Sequence, residues 1–255
     1  MDTVSHNDRT TAYRRVDRVG ERTVCYIHGA GGSSRVWVHQ YGDPTGPSAV
    51  APDLSGHGDS DDISAAAGVE ALDAYADDVV AVCEEVGATV LCGNSMGGAI
   101  AMWIALERDL ALDGLVLADT GAKLTVASEF LETLSSDFDS AIEMLHSPEM
   151  LFYDPTDELV EGSEESLRSA GQHVTVRDFE TCDAFDIRDQ LGAINVPALA
   201  LCGEHDSLTP PSFHEYLAEE LPTCTFREIK DAAHLPMIEQ PESFNDAVGS
   251  FLDSI

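Results

Sequence analysis

A chain of 255 residues that is 44% hydrophobic can build one large domain with a true core and leave room for an insertion. Asp and Glu number 47 against 13 Lys and Arg, a formal charge of −34 and a sequence pI near 4.2. That balance excludes nucleic acid and anionic membrane as partners, because phosphate binding needs clustered Lys and Arg.

Only two lysines occur, Lys123 and Lys230, and the acids are spread along the chain rather than gathered in a tail. Self-repulsion at this charge strains a compact fold in dilute buffer, whereas at molar salt the Debye length falls to about 3 Å and the repulsion is screened. The composition therefore predicts a halophile's protein, adapted to a high-salt cytoplasm. Met1 to Asp8 carries no apolar leader region and no later stretch approaches a membrane span, so a soluble, cytoplasmic chain is expected. Six cysteines, at 25, 83, 92, 182, 202 and 224, include no C-x-x-C pair. Cys25, Cys92 and Cys202 sit in apolar runs as small buried hydrophobes, and neither a disulfide nor a metal site is expected.

In chain order, residues 11–19 alternate loosely and reach Gly20-Glu21, which predicts an opening hairpin turning there. Thr23 to Ile27 is a buried strand that empties into His28-Gly29-Ala30-Gly31-Gly32-Ser33-Ser34. Glycine this dense after a strand brings bare backbone N–H groups close to something that approaches. Ser33 or Ser34 caps the next helix, whose Trp37 faces the core or a pocket wall. Ala49 to Asp53 is a short strand, and Leu54 to Ser60 a tight loop in which His57 reads as structural. Helical spacing of Leu72, Tyr75, Val79 and Cys83 predicts an amphipathic helix over 70–86. A strand over 89–93 and a helix over 96–107 come next, and 114–118 is another buried strand, ending at Asp119.

From 122 to 190 the strand rhythm stops. Helical patterns rich in Leu, Phe and acids take over, with breakers at Pro148, Pro155 and Gly162, so this stretch is expected to be an α-helical insertion over one end of the sheet. Its Arg168, His173 and Arg177 read as solvated surface. Strands resume at 196–203 and 225–229, with helices over 211–221 and 241–254. Strands alternating with helices predict an α/β fold with a doubly wound, mostly parallel sheet, whose ligands sit beyond the strands' carboxyl ends. The expected organisation is a core of 1–121 plus 191–255 and a cap of 122–190.

The chemistry centres on Gly93-Asn94-Ser95-Met96-Gly97. A strand that turns within two residues into a helix leaves Ser95 strained, with its Oγ exposed above the sheet. A serine hydroxyl becomes a nucleophile only when a base takes its proton, and an acid must orient that base. Ser95, then Asp206, then His234 supply those three types in order, each in a loop after an expected strand. His205, beside the acid, reads as a loop residue.

On these motifs, together with Ser55-Gly56-His57-Gly58-Asp59-Ser60 and Gly203-Glu204-His205-Asp206, the sequence resembles the α/β-hydrolase superfamily over nearly its whole length. The resemblance implies Ser95 as nucleophile, His234 as general base and then acid, and Asp206 as the group orienting His234. It also implies an oxyanion hole of the Ala30 and Met96 N–H groups, with His28, Gly29 and Trp37 near the substrate. Neither a metal nor an organic cofactor is required. Some members carry the acid after the strand that here ends at Asp119, so Asp119 competes with Asp206. A serine rather than an aspartate nucleophile argues against epoxide hydrolases and haloalkane dehalogenases. The expected reaction is hydrolysis of a small-molecule carboxylic ester of short to medium acyl chain. The same machinery could serve a lactone or carbon–carbon bond hydrolase, an acyltransferase or a proton-abstracting lyase. No feature indicates an oligomeric state.

Overall fold

The computed structural model describes residues 1–18, 22–148 and 150–255. Among them, eight strands form one sheet in the order β1-β2-β4-β3-β5-β6-β7-β8. β1 (Asp2–His6) and β2 (Arg9–Val16) make an antiparallel hairpin that turns at Asn7 and Asp8, at φ 44° and 59°. The alternation of 11–19 does not disclose this hairpin, because β1 is a polar, mostly exposed edge that the apolar rhythm does not mark. The turn expected at Gly20-Glu21 lies outside the described residues.

β2 runs antiparallel to β4 (Ser48–Pro52), and every later pairing is parallel: β3 (Thr23–Ile27) with β4 and β5 (Val90–Asn94), then β6 (Gly114–Ala118), β7 (Ala198–Gly203) and β8 (Cys224–Ile229). β4 to β7 are buried along their whole length, whereas β8, at the edge, is largely open. Helices cover both faces of such a sheet, so its inner strands are apolar throughout instead of alternating. On one face α2 (Val69–Val86) and α3 (Met96–Glu107) pack with α8 (Pro211–Glu220) around Tyr75, Val79, Ile100 and Leu217. On the other, the short α1 (Val38–Tyr41) and α9 (Pro236–Glu239) join α10 (Pro241–Leu252), which sets Phe244, Val248 and Phe251 against β3 to β7.

Between β6 and β7 the chain makes an all-helical excursion: α4 (Ser128–Ser136), α5 (Phe138–Leu145), α6 (Asp157–Ala170) and α7 (Gln172–Ala184). Thr156 caps α6 by accepting from Leu159 N, and Asp157 and Glu158 in its first turn face the positive end of its dipole. The excursion has a small core of its own, built from Phe130, Leu134, Ile142, Leu145 and Leu167. Its two stems are tied at the base, where Leu124 N donates to Phe185 O and Ile187 N to Ala122 O. No helix among the described residues is long and apolar enough to cross a membrane.

Candidate functional site

Ser95 sits between the last residue of β5 and the first of α3, at φ 54° and ψ −118°. A backbone of this kind costs a non-glycine residue about 1–3 kcal/mol and persists only where its surroundings fix it. Here Ser95 N donates to Ala118 O, and Ser95 O accepts from Thr120 Oγ1 at 2.8 Å and from Gly98 N. The flanking glycines are there for space. A Cβ on Gly93 would enter the Gly97 carbonyl, and one on Gly97 would enter that of Ile27. The serine is therefore held at the carboxyl end of the central strand by contacts that tolerate no side chain on either side.

Asp206 follows β7, and its carboxylate is saturated with donors. Oδ1 accepts from Leu208 N (2.8 Å) and Thr209 N (3.0 Å), while Oδ2 accepts from Thr209 Oγ1 (2.7 Å) and His234 Nδ1 (3.0 Å). Burial alone would raise its pKa, but the facing His234 and the Thr209 donors outweigh it and hold Asp206 at about 2. His234 follows β8 in a loop pinned from three sides. Its N–H donates to Leu151 O, its carbonyl accepts from Asn94 Nδ2 at 3.1 Å, and the preceding Ala233 N donates to Glu239 Oε1. The other Glu239 oxygen accepts from Tyr153 N at 2.7 Å, so one carboxylate joins the histidine loop to the helical excursion. Tyr153 also stacks on His205, with ring centroids 3.9 Å apart.

Ser95 and His234 open into the same cavity, about 760 Å³ in volume. Its floor includes Gly29 and Ala30, and its roof comes from the excursion: Leu124, Phe130, Met144, Leu159 and Phe179. The glycine loop runs against the elbow, since a Cβ on Gly29 would lie 3.2 Å from Ser95 Cβ. Gly31 turns at φ 63°, and its N–H donates to Asp178 Oδ2 of α7 at 2.9 Å. Met96 is the first residue of α3, a position whose N–H the helix itself leaves unbonded. The arrangement offers a hydroxyl, an imidazole oriented by a carboxylate, and backbone donors on one side of an apolar chamber. That is the equipment for attack on a carbonyl.

Two residues expected near the substrate do not reach the cavity. Trp37 is fully buried on the far face, against Tyr26 and Phe244. His28 is sealed in, its Nε2 accepting from Leu54 N and its Nδ1 donating to Gly29 O. Burial and the nearby His57 lower its pKa to about 4, so it is neutral and shapes the loop from beneath. Of the excursion's polar residues, Arg168 pairs on the surface with Glu164. Arg177 is not solvated: it is buried, bonding Tyr75 Oη, Ser55 O, Ile63 O and Asp62.

Arg177 belongs to a buried network that local sequence patterns do not disclose. Asp178 accepts from His57 Nε2 (2.8 Å), Tyr75 Oη (2.6 Å) and Gly31 N, and so joins α7 to the 54–60 loop, to α2 and to the glycine loop. Its partners lie more than a hundred residues away in sequence, beyond the reach of any spacing rule. As for metal ligation, Asp119, Asp206 and Cys202 bring one ligand atom each within 4.8 Å of one another. Asp206 is already saturated, however, and Cys202 Sγ donates to Gly203 O at 3.2 Å, so the trio does not offer a free donor set. A second trio, Glu204, His205 and Asp231, lies at the surface.

The pattern of the alpha/beta hydrolase family matches residues 26–247. The chain belongs to that family. It is 27% identical to 3-oxoadipate enol-lactonase 2 of Acinetobacter baylyi, over 78% of this chain and 76% of that one. It is also 27% identical to the pimeloyl-[acyl-carrier protein] methyl ester esterase of Neisseria meningitidis serogroup C, over 92% and 94%. Among solved structures, one described as a thermophilic esterase superposes with a TM-score of 0.88 at 30% identity, covering 99% of this chain and 97% of that one.

Proposed function

We propose that this chain is a serine hydrolase that cleaves carboxylic esters of short to medium acyl chain through an acyl-enzyme. The observation that carries the reading is the shared cavity. Ser95, on its strained elbow, and His234, bonded through Nδ1 to Asp206, open into one apolar chamber. His234 takes the Ser95 proton as Oγ attacks the ester carbonyl, and the Ala30 and Met96 N–H groups hold the oxyanion, one such donor being worth about 3 kcal/mol. His234 then protonates the leaving alcohol, and water, activated by the same imidazole, releases the acid. Gly29 borders the substrate. The 122–190 segment acts as a cap, and its apolar lining sets the acyl-chain preference. Hydrolysis of a lactone is the second reading, favoured by the enol-lactonase relative, since a lactone is an ester closed into a ring.

The surface chemistry adds a setting. With −34 charges and two lysines, the fold is suited to molar salt, and six free cysteines suit a reducing, cytoplasmic compartment. The test is hydrolysis of p-nitrophenyl esters from acetate to decanoate in molar KCl, wild type beside Ser95→Ala. Turnover with a chain-length optimum, abolished in the variant, is expected. Undiminished turnover in folded Ser95→Ala would overturn the mechanism.

A further inference from the structure

Asp119 follows β6 with its backbone at φ 45°, fully buried, one strand away from the carboxylate that bonds His234. Its Oδ1 accepts from Gly203 N at 2.9 Å. Its Oδ2 is sealed from solvent, and no N–H or hydroxyl among the described residues donates to it. Asp206 and Glu239 are the charged neighbours that weigh most on this carboxyl, and both are acids. A carboxylate oxygen buried without a donor is costly, and a second negative charge beside Asp206 is costlier still.

Two things could settle such a pair: a cation or a proton. The four donors on Asp206 and the Cys202 thiol, which donates its hydrogen to Gly203 O, leave no coordination sphere for a cation. We propose that Asp119 is a neutral carboxylic acid in the folded enzyme, protonated on Oδ2, the oxygen without a donor, and that it is a positioning residue for the Asp206–His234 pair. Burial first, and the Asp206 charge second, push Asp119 well above the usual carboxylate range, while the Gly203 N–H only partly opposes them. The pair then carries one negative charge instead of two. That matters because a doubly charged pair would hold the proton on His234 too tightly for a base working near neutral pH. Asp119 also braces the acid loop against β6 through Gly203.

The role assigned to Asp119 rests on the triad reading above, but the position of its proton can be read without any turnover. The protein is labelled with aspartate carrying carbon-13 at the side-chain carboxyl. Its infrared spectrum is then recorded in molar KCl at about pH 8, far above the ordinary carboxylate range. One isotope-shifted C=O stretch of a protonated aspartic acid is expected, and it should vanish in Asp119→Asn. A spectrum with carboxylate bands alone, or a band that survives in Asp119→Asn, overturns the proposal. The label excludes Glu239, and the unsubstituted protein reports on the proton even if the variant does not fold.

Kinetics supply the second arm. Exchanging a neutral acid for a neutral amide keeps the charge of the pair, so the acid limb of the pH–rate profile should stay in place, whereas loss of a charge would move that limb down by about one pH unit. Such a downward move would show that Asp119 was ionised. A folded protein with the band but no esterase activity would refute the hydrolase reading alone; an active one without the band would refute only the role of Asp119.

Discussion

Two buried aspartate–histidine pairs lie among the described residues with nearly the same contact, Asp206–His234 at 3.0 Å and Asp178–His57 at 2.8 Å. Their surroundings separate them. His57 is wholly enclosed, and both its nitrogens face acceptors, Nε2 to Asp178 and Nδ1 to Ser55 O. Burial works against charge on the ring, but the Asp178 carboxylate outweighs it and raises its pKa, so the contact favours the charged ring and leaves no nitrogen for chemistry. His234 spends one nitrogen on Asp206 and lines the cavity with the rest of its ring. The contact alone does not set the pairs apart; a ring that faces the chamber does. A second contrast lies in what each aspartate does besides. Asp206 is organised by its own loop, whereas Asp178 reaches across from α7 to hold Gly31 and hence the loop carrying Ala30.

Breaking each pair should therefore give opposite phenotypes. The largest effect is expected from His234→Gln, which should lower kcat/KM for a p-nitrophenyl ester by roughly five to six orders of magnitude while unfolding stays near wild type. Asp206→Asn should cost about four orders of magnitude, because the amide can present its N–H to Nδ1 and stabilise the wrong tautomer. A loss from Asp119→Asn larger than that from Asp206→Asn would move the acid to Asp119.

On the other pair, Asp178→Asn should cost about 3–5 kcal/mol in denaturant unfolding at high salt, the usual cost of stranding a buried partner charge. Its pH dependence has a definite sign. The Asp178 pKa lies below its ordinary 3.8, because the His57 charge and donors outweigh burial, so its contribution is complete above 3.8 and lost as pH falls through the lowered value. The His57 pKa lies above 6.5, so its contribution is complete below 6.5 and lost as pH rises through the raised value. The stability gap between wild type and Asp178→Asn should thus be widest between those limits. A gap independent of pH would show that the pair is not ionic.

The smallest effect sharpens the link between the helical excursion and the proposed chemistry. Glu239→Gln leaves one oxygen where two backbone N–H groups, of Ala233 and Tyr153, now find acceptors, and about a tenfold loss in kcat is expected, the equivalent of one hydrogen bond. If KM rises instead with kcat unchanged, the clamp serves binding and not the placement of His234.

Much of this is legible in the sequence, and the reasons differ by element. The buried parallel strands show as apolar runs, and the elbow as glycines bracketing a serine. Asp206 and His234 stand out by loop position and order, and the structure brings them together. The polar strand β1 carries no apolar signal, so alternation alone does not show the turn that joins it to β2. Trp37 and His28 sit close in sequence to the glycine loop, but the chain carries both beneath the sheet's working end. The Asp178 network and the Glu239 clamp join residues far apart in sequence and become visible only once α7 and the 150–153 segment are packed.

The most direct test is covalent. A fluorophosphonate should add one equivalent to the folded protein in molar KCl, on Ser95, and labelling should collapse in His234→Gln but persist in a folded His57→Gln protein. Folded wild type that takes no label, or label on any other residue, would contradict the account.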